Sequence, residues 1–311
     1  MAQAPDLDFQ AFVAKKQQER HEEGERAGRR SEPDGDAPDA AHAYAYSFDR
    51  KTREALERVK PVELAVAGTV RLFKRVASSQ LLGNAVKVGD KQFPRIHSIA
   101  AQCAKTIGIP TPTVYIVNNP VLNAGTYGTN EEAFIQVHSA LVDHYSDEEL
   151  LTVIGHECGH IHNSHVVYMT ALYFLTNIAG AFVAWAVQPA IIALRAWSRR
   201  AEITSDRAGM LCAKDAVVAE RALTKLALGS RKLYEEFNLE AFLDQYEEGK
   251  EGVGRYMEAF ATHPWLPKRV LAMREFAKSE YYRRSLGTGL EGGMTMPEVD
   301  AKVAALLKGD A

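Results

Sequence analysis

The chain contains 311 residues, of which 46% are hydrophobic and 25% are charged, a composition sufficient for a globular domain with a hydrophobic core. Its formal net charge of -3 provides no broad basic surface, so nucleic acid is not an expected partner. The cysteines Cys103, Cys158 and Cys212 are too few and too scattered for a disulfide framework, which favours a reducing compartment.

Residues 1–46 are predicted to form a flexible leader. Residues 22–43 are rich in Glu, Arg, Asp, Gly, Pro and Ala, and such a segment cannot bury enough apolar surface to order itself. Residues 1–12 contain Asp6 and Asp8 and no long apolar run, so they do not match a secretory signal peptide. We therefore expect a cytoplasmic location.

The main folded part is predicted over residues 47–285, followed by a tail over residues 286–311. Helices are predicted first at residues 48–60, 62–82 and 91–107. Short runs rich in Val, Ile, Tyr and Phe then predict strands at residues 113–117, 121–126 and 133–138. Turn residues separate these runs, which indicates a small antiparallel sheet. An edge of this sheet near Asn123 and Ala124 can bind an extended peptide as a further strand.

Residues 146–165 are predicted to form a capped helix with metal-ligand spacing. Ser146 and Glu149 match a capping box, which fixes the start of the helix. His156 and His160 are four residues apart and share one helix face, where both imidazoles can bind one zinc ion. Glu157 lies beside them, within reach of a water at the metal. The alternative is a helix with two polar histidines that have no such function.

Residues 166–194 carry no charged side chain and are long enough to cross a bilayer once. A single crossing would place His160 and Glu202 on opposite sides of the membrane, where they could not share a metal. We therefore expect a helical hairpin, bent near residues 177–180 or at residues 188–189. It is buried in the fold, embedded in one leaflet of the inner membrane face, or used in a homodimer contact, and it can also cover the active cleft as a lid.

A peripheral membrane contact would use the apolar and basic residues of positions 166–197. The aromatic and arginine side chains in question are Phe174, Phe182, Trp185, Trp197, Arg195, Arg199 and Arg200. Aromatic rings suit the headgroup region and arginines suit anionic phosphates. A homodimer would bury the same surface, and we favour it because the chain has no second membrane signal.

The helix predicted from residue 198 places Glu202 and Asp206 four residues apart on one face. A catalytic zinc site needs three protein ligands, so Glu202 is the predicted third ligand. Ligand histidines commonly donate their other ring N–H to a carboxylate, and Asp206 is placed to accept it. The alternative is a solvated charged face whose carboxylates pair with nearby arginines.

Further helices are predicted at residues 215–228 and 232–246, and a last long helix to about residue 284. A proline-flanked loop at the start of this last helix carries His263 and Arg269, which could reach an active site as oxyanion partners. The alternative is a capped turn with a surface arginine.

Together these motifs resemble those of the gluzincin metallopeptidases, which include the heat-shock protease HtpX, the CAAX prenyl endopeptidases and the soluble minigluzincins. The resemblance covers about residues 93–284 and rests on Asn123-Ala124, His156-Glu157-x-x-His160 with His165, Glu202-x-x-x-Asp206, and His263-Pro264 with Arg269. It implies an α+β fold, a mainly helical gluzincin-type domain with a small antiparallel sheet next to the HExxH helix. Charges at Arg71, Lys74 and Arg75 make the chain more similar to the soluble branch than to its membrane-bound relatives.

The resemblance implies that His156, His160 and Glu202 bind zinc, that Glu157 is the general base, and that Asp206 hydrogen bonds to a ligand. It further implies that these groups act together in zinc-dependent hydrolysis of peptide bonds within polypeptide substrates.

By the same resemblance, His263 and Arg269 steady the substrate or the oxyanion, and Asn123, beside Ala124, contacts the substrate backbone. The alternative function is a catalytically quiet zinc-binding scaffold or a membrane-proximal interaction protein of the same fold. A purely structural metal site would have no need of Glu157, so we favour the peptidase.

Overall fold

A computed structural model of the chain describes residues 42–56, 68, 85–129, 132–177, 181–249, 264–287 and 292–307. The helices in this part of the chain are α1 (Ser47–Leu56), α2 (Pro94–Ile107), α3 (Ser139–His144), α4 (Asp147–His162), α5 (Val166–Asn177), α6 (Ala181–Ala213), α7 (Ala216–Leu228), α8 (Arg231–Glu235), α9 (Leu239–Gly249), α10 (Leu266–Ala277), α11 (Glu280–Ser285) and α12 (Met296–Leu306). The strands are β1 (Ala85–Lys87), β2 (Thr113–Val117), β3 (Ala124–Gly128) and β4 (Ala133–His138). The predicted α+β class is confirmed, while the helix predicted at residues 62–82 lies outside the described residues apart from Gly68.

The described strands form one mixed sheet in the order β1-β2-β4-β3. β4 pairs with β2 in parallel, with Thr113 opposite Phe134, and pairs with β3 antiparallel. The sequence predicts an antiparallel sheet. However, β4 lies between β2 and β3, so β2 and β4, which run in the same direction, become neighbours. Val121 N donates to Asn119 Oδ1 at 2.9 Å, which makes the residues before Ala124 a turn and delays the start of β3.

Side-chain caps divide two of the predicted helices. Asn238 Oδ1 accepts from Ala241 N at 3.1 Å at the start of α9, so the helix predicted over residues 232–246 is split into α8 and α9. Ser279 Oγ accepts from Tyr282 N at 3.0 Å at the start of α11, which separates α11 from α10. In both places a polar side chain replaces a helical backbone hydrogen bond.

Glycines allow α4 and α6 to pack with unusually close backbones. A Cβ atom at Gly155 would lie 2.7 Å from Cys212 Cβ, and one at Gly159 would lie 2.7 Å from Ala208 Cβ. From the opposite helix, a Cβ at Gly209 would lie 2.6 Å from a backbone oxygen of α4. Real Cβ contacts are longer than this, so the helices can meet at this distance only through glycine. The polar residues beside the glycines on the two helices are thereby brought together.

The segment between the zinc-motif helix and Glu202 forms the two helices α5 and α6, which pack against each other. α6 continues through Pro189, so the chain does not reverse at residues 188–189, and residues 178–180, part of the other predicted bend, lie outside the described part. The base of the hairpin is buried in the fold with α1. This buried apolar cluster contains Leu56 of α1 together with Val167, Tyr168, Leu172, Ala190, Ile191, Leu194, Trp197 and Ala201 of the hairpin.

Trp197 and Arg199 are 0% and 2% exposed. The prediction that these two side chains contribute to a membrane or dimer surface is therefore wrong, because both point into the fold. Among the described residues, no helix combines the length and the apolar character needed to cross a bilayer.

Residues near both ends of the described part enter the main core. Tyr44 and Tyr46, just before α1, and Val299 and Val303 of α12 are all buried in it. In α12, Asp300 accepts a hydrogen bond from Arg207 Nη2 of α6 at 2.8 Å. These contacts fix α1 and α12 beside the long helix that carries Glu202.

Candidate metal centre

The N-terminus of α4 is fixed by the predicted capping box. Glu149 N donates to Ser146 Oγ at 3.3 Å, and Ser146 N donates to Glu149 Oε2 at 2.9 Å. The same buried carboxylate accepts from Arg221 Nε at 2.7 Å and Lys225 Nζ at 2.9 Å, both on α7. The helix that carries the two histidines is therefore held in register from its first turn.

His156 and His160 of α4 and Glu202 of α6 form a triangle of metal-binding atoms. The two Nε2 atoms are 3.1 Å apart, and Glu202 carboxylate oxygens lie 3.6 Å from His156 Nε2 and 3.4 Å from His160 Nε2. Ligand atoms bound to a tetrahedral zinc ion at about 2.0–2.2 Å are separated by about 3.3–3.6 Å. The two His–Glu distances lie in this range and the Nε2–Nε2 distance is slightly shorter, so the spacing and the His, His, Glu chemistry suit a small metal ion such as zinc.

Asp206 and Arg269 support this triangle from one side. His156 Nδ1 lies 3.0 Å from Asp206 Oδ1, as expected when a ligand histidine donates its other N–H to a carboxylate. Arg269 donates to both oxygens of Asp206, at 2.8 and 2.6 Å, and its Nη1 is 3.1 Å from Glu202 Oε2. Burial opposes ionisation, but Arg269 and His156 hold the pKa of Asp206 below its ordinary value, so the carboxylate is charged.

Glu157 follows His156 on α4 and is 6% exposed. Thr126 Oγ1 of β3 donates to Glu157 Oε2 at 2.5 Å. This hydrogen bond joins the terminal strand of the described sheet to the carboxylate. Thr126 is not predicted as a site residue from the sequence, since nothing in a strand pattern shows which neighbouring helix a hydroxyl will contact.

A further histidine, His165, lies behind His160 on the side of Nδ1. His160 Nδ1 is 3.1 Å from His165 Nδ1, and His165 Nε2 is 2.9 Å from Asp49 Oδ2 of α1. Asp49 also accepts from Trp197 Nε1 at 3.0 Å and Thr204 Oγ1 at 2.6 Å. His165 belongs to the sequence motif without a predicted role, and Asp49 is not predicted from the sequence.

Burial lowers the pKa of His165, which keeps the ring neutral. Burial also opposes charge on Asp49, but His165, Thr204 and Trp197 together lower the pKa of Asp49 below its ordinary value. The pair is therefore a neutral imidazole that donates to a carboxylate.

A cleft opens beside the triangle. Asn123, which is exposed, and Ala124, which begins β3, lie on its rim with Arg269. Its apolar wall is formed by Val153, Leu223, Leu226 and Met273. His263 lies outside the described residues, so its predicted place at this cleft stays a prediction.

Two packed helices that present a His, His, Glu triangle, with Glu157 beside it, define the metal centre of an HExxH metallopeptidase. Residues 90–277, more than half of the chain, match the family described as Peptidase family M48. The chain belongs to this family. The predicted relationship to HtpX-like peptidases and the predicted metalloprotease activity are thereby confirmed.

Similar proteins include one from a plant and two from a bacterium. Over 262 residues the chain is 30% identical to the plastoglobule-localized metallopeptidase 48, chloroplastic, of Arabidopsis thaliana. The matched region covers 79% of this chain and 75% of that protein. Over 225 residues it is 25% identical to the protease HtpX homologues of Tropheryma whipplei strains Twist and TW08/27, with 63% of this chain and 77% of each relative covered. No solved structure matches the chain.

Proposed function

We propose that the chain is a zinc-dependent endopeptidase that hydrolyses peptide bonds within polypeptides. The observation that carries this proposal is the triangle of His156, His160 and Glu202, whose spacing suits a tetrahedral zinc ion. Bound there, zinc supplies Lewis acidity toward a water molecule and a peptide carbonyl. A purely structural zinc site normally has four protein ligands, whereas three ligands leave one position for reactants.

Glu157 is the general base in this proposal. Its carboxylate accepts a proton from the attacking water and later delivers it to the nitrogen of the leaving amine. Its place beside His156 and its hydrogen bond from Thr126 support this role, since they hold the carboxylate at the cleft. A mobile carboxylate would meet the water in the correct orientation only part of the time.

Asp206 and Arg269 hold the ligands in place. Asp206 accepts from His156 Nδ1, which leaves the lone pair of Nε2 free for the metal. Arg269 is bound to Asp206 and Glu202, and these contacts support a role in orienting the two carboxylates. The oxyanion roles of Arg269 and His263 remain predictions.

The substrate is proposed to bind as an extended strand along β3. β3 is a terminal strand of the described sheet, and Thr126 ties it to Glu157. A peptide that pairs with this edge would pass directly over the metal centre, with Asn123 and Ala124 in contact with its backbone. The apolar wall of the cleft favours an apolar substrate side chain beside the scissile bond.

We further propose that the enzyme acts in the cytoplasm, with the α5–α6 hairpin in a homodimer contact rather than against the inner membrane face. Tyr173 and Ile192 support an apolar contact there, because they are 50% and 52% exposed on these two helices.

Metal analysis tests the ligand set. We expect one zinc per chain in the wild type and in Glu157→Gln, because Glu157 is not a ligand, and loss of zinc in His160→Ala. These two variants distinguish a proposed ligand, His160, from Glu157, a residue of the same helix that is not a proposed ligand. Full retention of zinc by His160→Ala would contradict the assignment.

A further inference from the structure

Asp49 is a buried carboxylate far from the metal motifs in sequence. It lies on α1, outside the residues 90–277 that match the M48 family, and it is 2% exposed. Its hydrogen-bond partners are His165, Trp197 and Thr204. Trp197 and Thr204 are on α6, the helix of Glu202, and His165 lies between α4, the helix of the two proposed ligand histidines, and α5.

The hydrogen-bond roles in this group follow from its donors and acceptors, with Asp49 as a carboxylate and His165 as a neutral imidazole. An ionised carboxylate only accepts, so the bond between His165 Nε2 and Asp49 requires the proton to be on Nε2. A neutral imidazole carries one N–H, so His165 Nδ1 is then an acceptor. His160 Nδ1, which is 3.1 Å away, must therefore be the donor. This leaves the lone pair of His160 Nε2 free and directed toward the metal triangle.

We infer that Asp49 is a positioning residue of the metal centre, which acts through His165 to hold His160 in the tautomer that binds metal. Asp206 does the same for His156 by direct contact. Each ligand histidine is thus connected to a buried carboxylate, one directly and one through a second imidazole. This inference rests on the proposed zinc site, and it adds to that site a residue from outside the matched family region.

The substitution Asp49→Asn should reverse the direction of the hydrogen bonds that join residue 49, His165 and His160. The indole N–H of Trp197 is only a donor, so an amide at position 49 must turn its oxygen toward Trp197. The amide NH2 group then faces His165 Nε2 and donates to it. His165 is forced to carry its proton on Nδ1, His160 Nδ1 must accept, and the proton of His160 moves to Nε2, where it competes with zinc.

The test has two readouts on the full-length protein. The first is zinc affinity, measured by competition with a chromophoric chelator. Loss of a hydrogen-bond partner behind a ligand typically weakens metal affinity about 10–100-fold, and we expect this for Asp49→Asn. The matched control is Asp300→Asn, since Asp300 is also buried, accepts from the backbone N of Ser47, the first residue of α1, at 3.0 Å and pairs with Arg207 of α6. This control should leave zinc affinity unchanged.

The second readout is the tautomer of His165 in the wild type, measured by NMR with 15N-labelled histidine. We expect protonated Nε2 and bare Nδ1 on His165, and the opposite in Asp49→Asn. Protonation of His165 at Nδ1 in the wild type would overturn the inference, as would an Asp49→Asn variant with wild-type zinc affinity or equal losses in both variants. If the wild type binds no zinc, the proposed function fails, while the tautomer of the metal-free protein still tests Asp49.

Discussion

Thr126 and Glu157 show how one hydrogen bond from the sheet can set the position of the carboxylate proposed as the general base. The two residues are 31 positions apart, and the hydroxyl lies 2.5 Å from Oε2. Thr126 also approaches the backbone oxygen of Glu157 at 3.4 Å. Because β3 is also the proposed binding edge for substrate, this contact joins peptide binding to the orientation of the general base.

Replacement of Thr126 tests this link. A hydrogen bond to a charged group contributes about 1.5–3 kcal/mol, so we expect Thr126→Val to lower kcat by about tenfold or more. Thr126→Ser retains the hydroxyl and should keep most of the activity. Zinc content should be unchanged in both variants, since Thr126 does not contact a ligand. Equal activity of the valine and serine variants would refute the role of the hydroxyl.

At the scale of helices and strands, the approach of α4 to α6 decides whether the ligands meet. Gly155 and Gly159 remove side chains from one face of α4, while His156 and His160 project from positions next to them. A small increase in the distance between the helices would move Glu202 away from both histidines. The glycines therefore allow the close approach that brings the proposed ligands together.

Gly159→Ala should separate the two helices. Its new Cβ would lie 2.7 Å from Ala208 Cβ and 3.0 Å from Ser205 Cα, so we expect a loss of about 1–3 kcal/mol of unfolding free energy from overpacking, together with reduced zinc content. Gly89→Ala is the control, because a Cβ there has open space within 4 Å. Urea unfolding and metal analysis measure both effects. A Gly159→Ala protein with wild-type stability and full zinc content would show that the contact at Gly159 does not control the distance between the two helices.

The proposed ligand triangle could be predicted because the spacing of residues within a helix shows which of them share a face. His156 and His160, and likewise Glu202 and Asp206, are related by helical spacing, and one shared metal then joins the two helices. Asp49 could not be predicted in this way, since it is 116 residues from His165 and no local pattern relates them. The mixed sheet was missed for a similar reason, because strand composition predicts that strands exist but not which strand lies between two others.

At the scale of the whole molecule, the α5–α6 hairpin presents exposed apolar side chains outside the proposed site. Its base is buried, including Trp197, while Tyr173 and Ile192 remain exposed. Tyr173 also lies edge-on to Tyr127 of β3, with ring centroids 6.3 Å apart, so the hairpin flanks the proposed substrate strand. Burial of Trp197 and Arg199 removes one aromatic and one arginine from both proposed contacts, so the proposed homodimer contact is argued from Tyr173 and Ile192.

Light scattering at several protein concentrations, run beside flotation with anionic liposomes, distinguishes the two contacts. We expect a dimer that stays with the soluble fraction. Ile192→Asp should weaken the dimer at least on the order of tenfold if Ile192 lies in a desolvated contact, and the matched control Val217→Asp, at a 72% exposed residue of α7, should not. Robust flotation of a monomer would favour the membrane instead.

Cleavage of an unfolded protein such as casein by the wild type and by Glu157→Gln tests the central claim most directly. Both proteins should contain one zinc, but the variant lacks the group that accepts and returns the proton, so its kcat should fall by about 10²–10⁴-fold. A chelator should abolish cleavage by the wild type. Equal rates of casein cleavage by two equally metal-loaded proteins would contradict the account, since Glu157 would then have no part in the reaction.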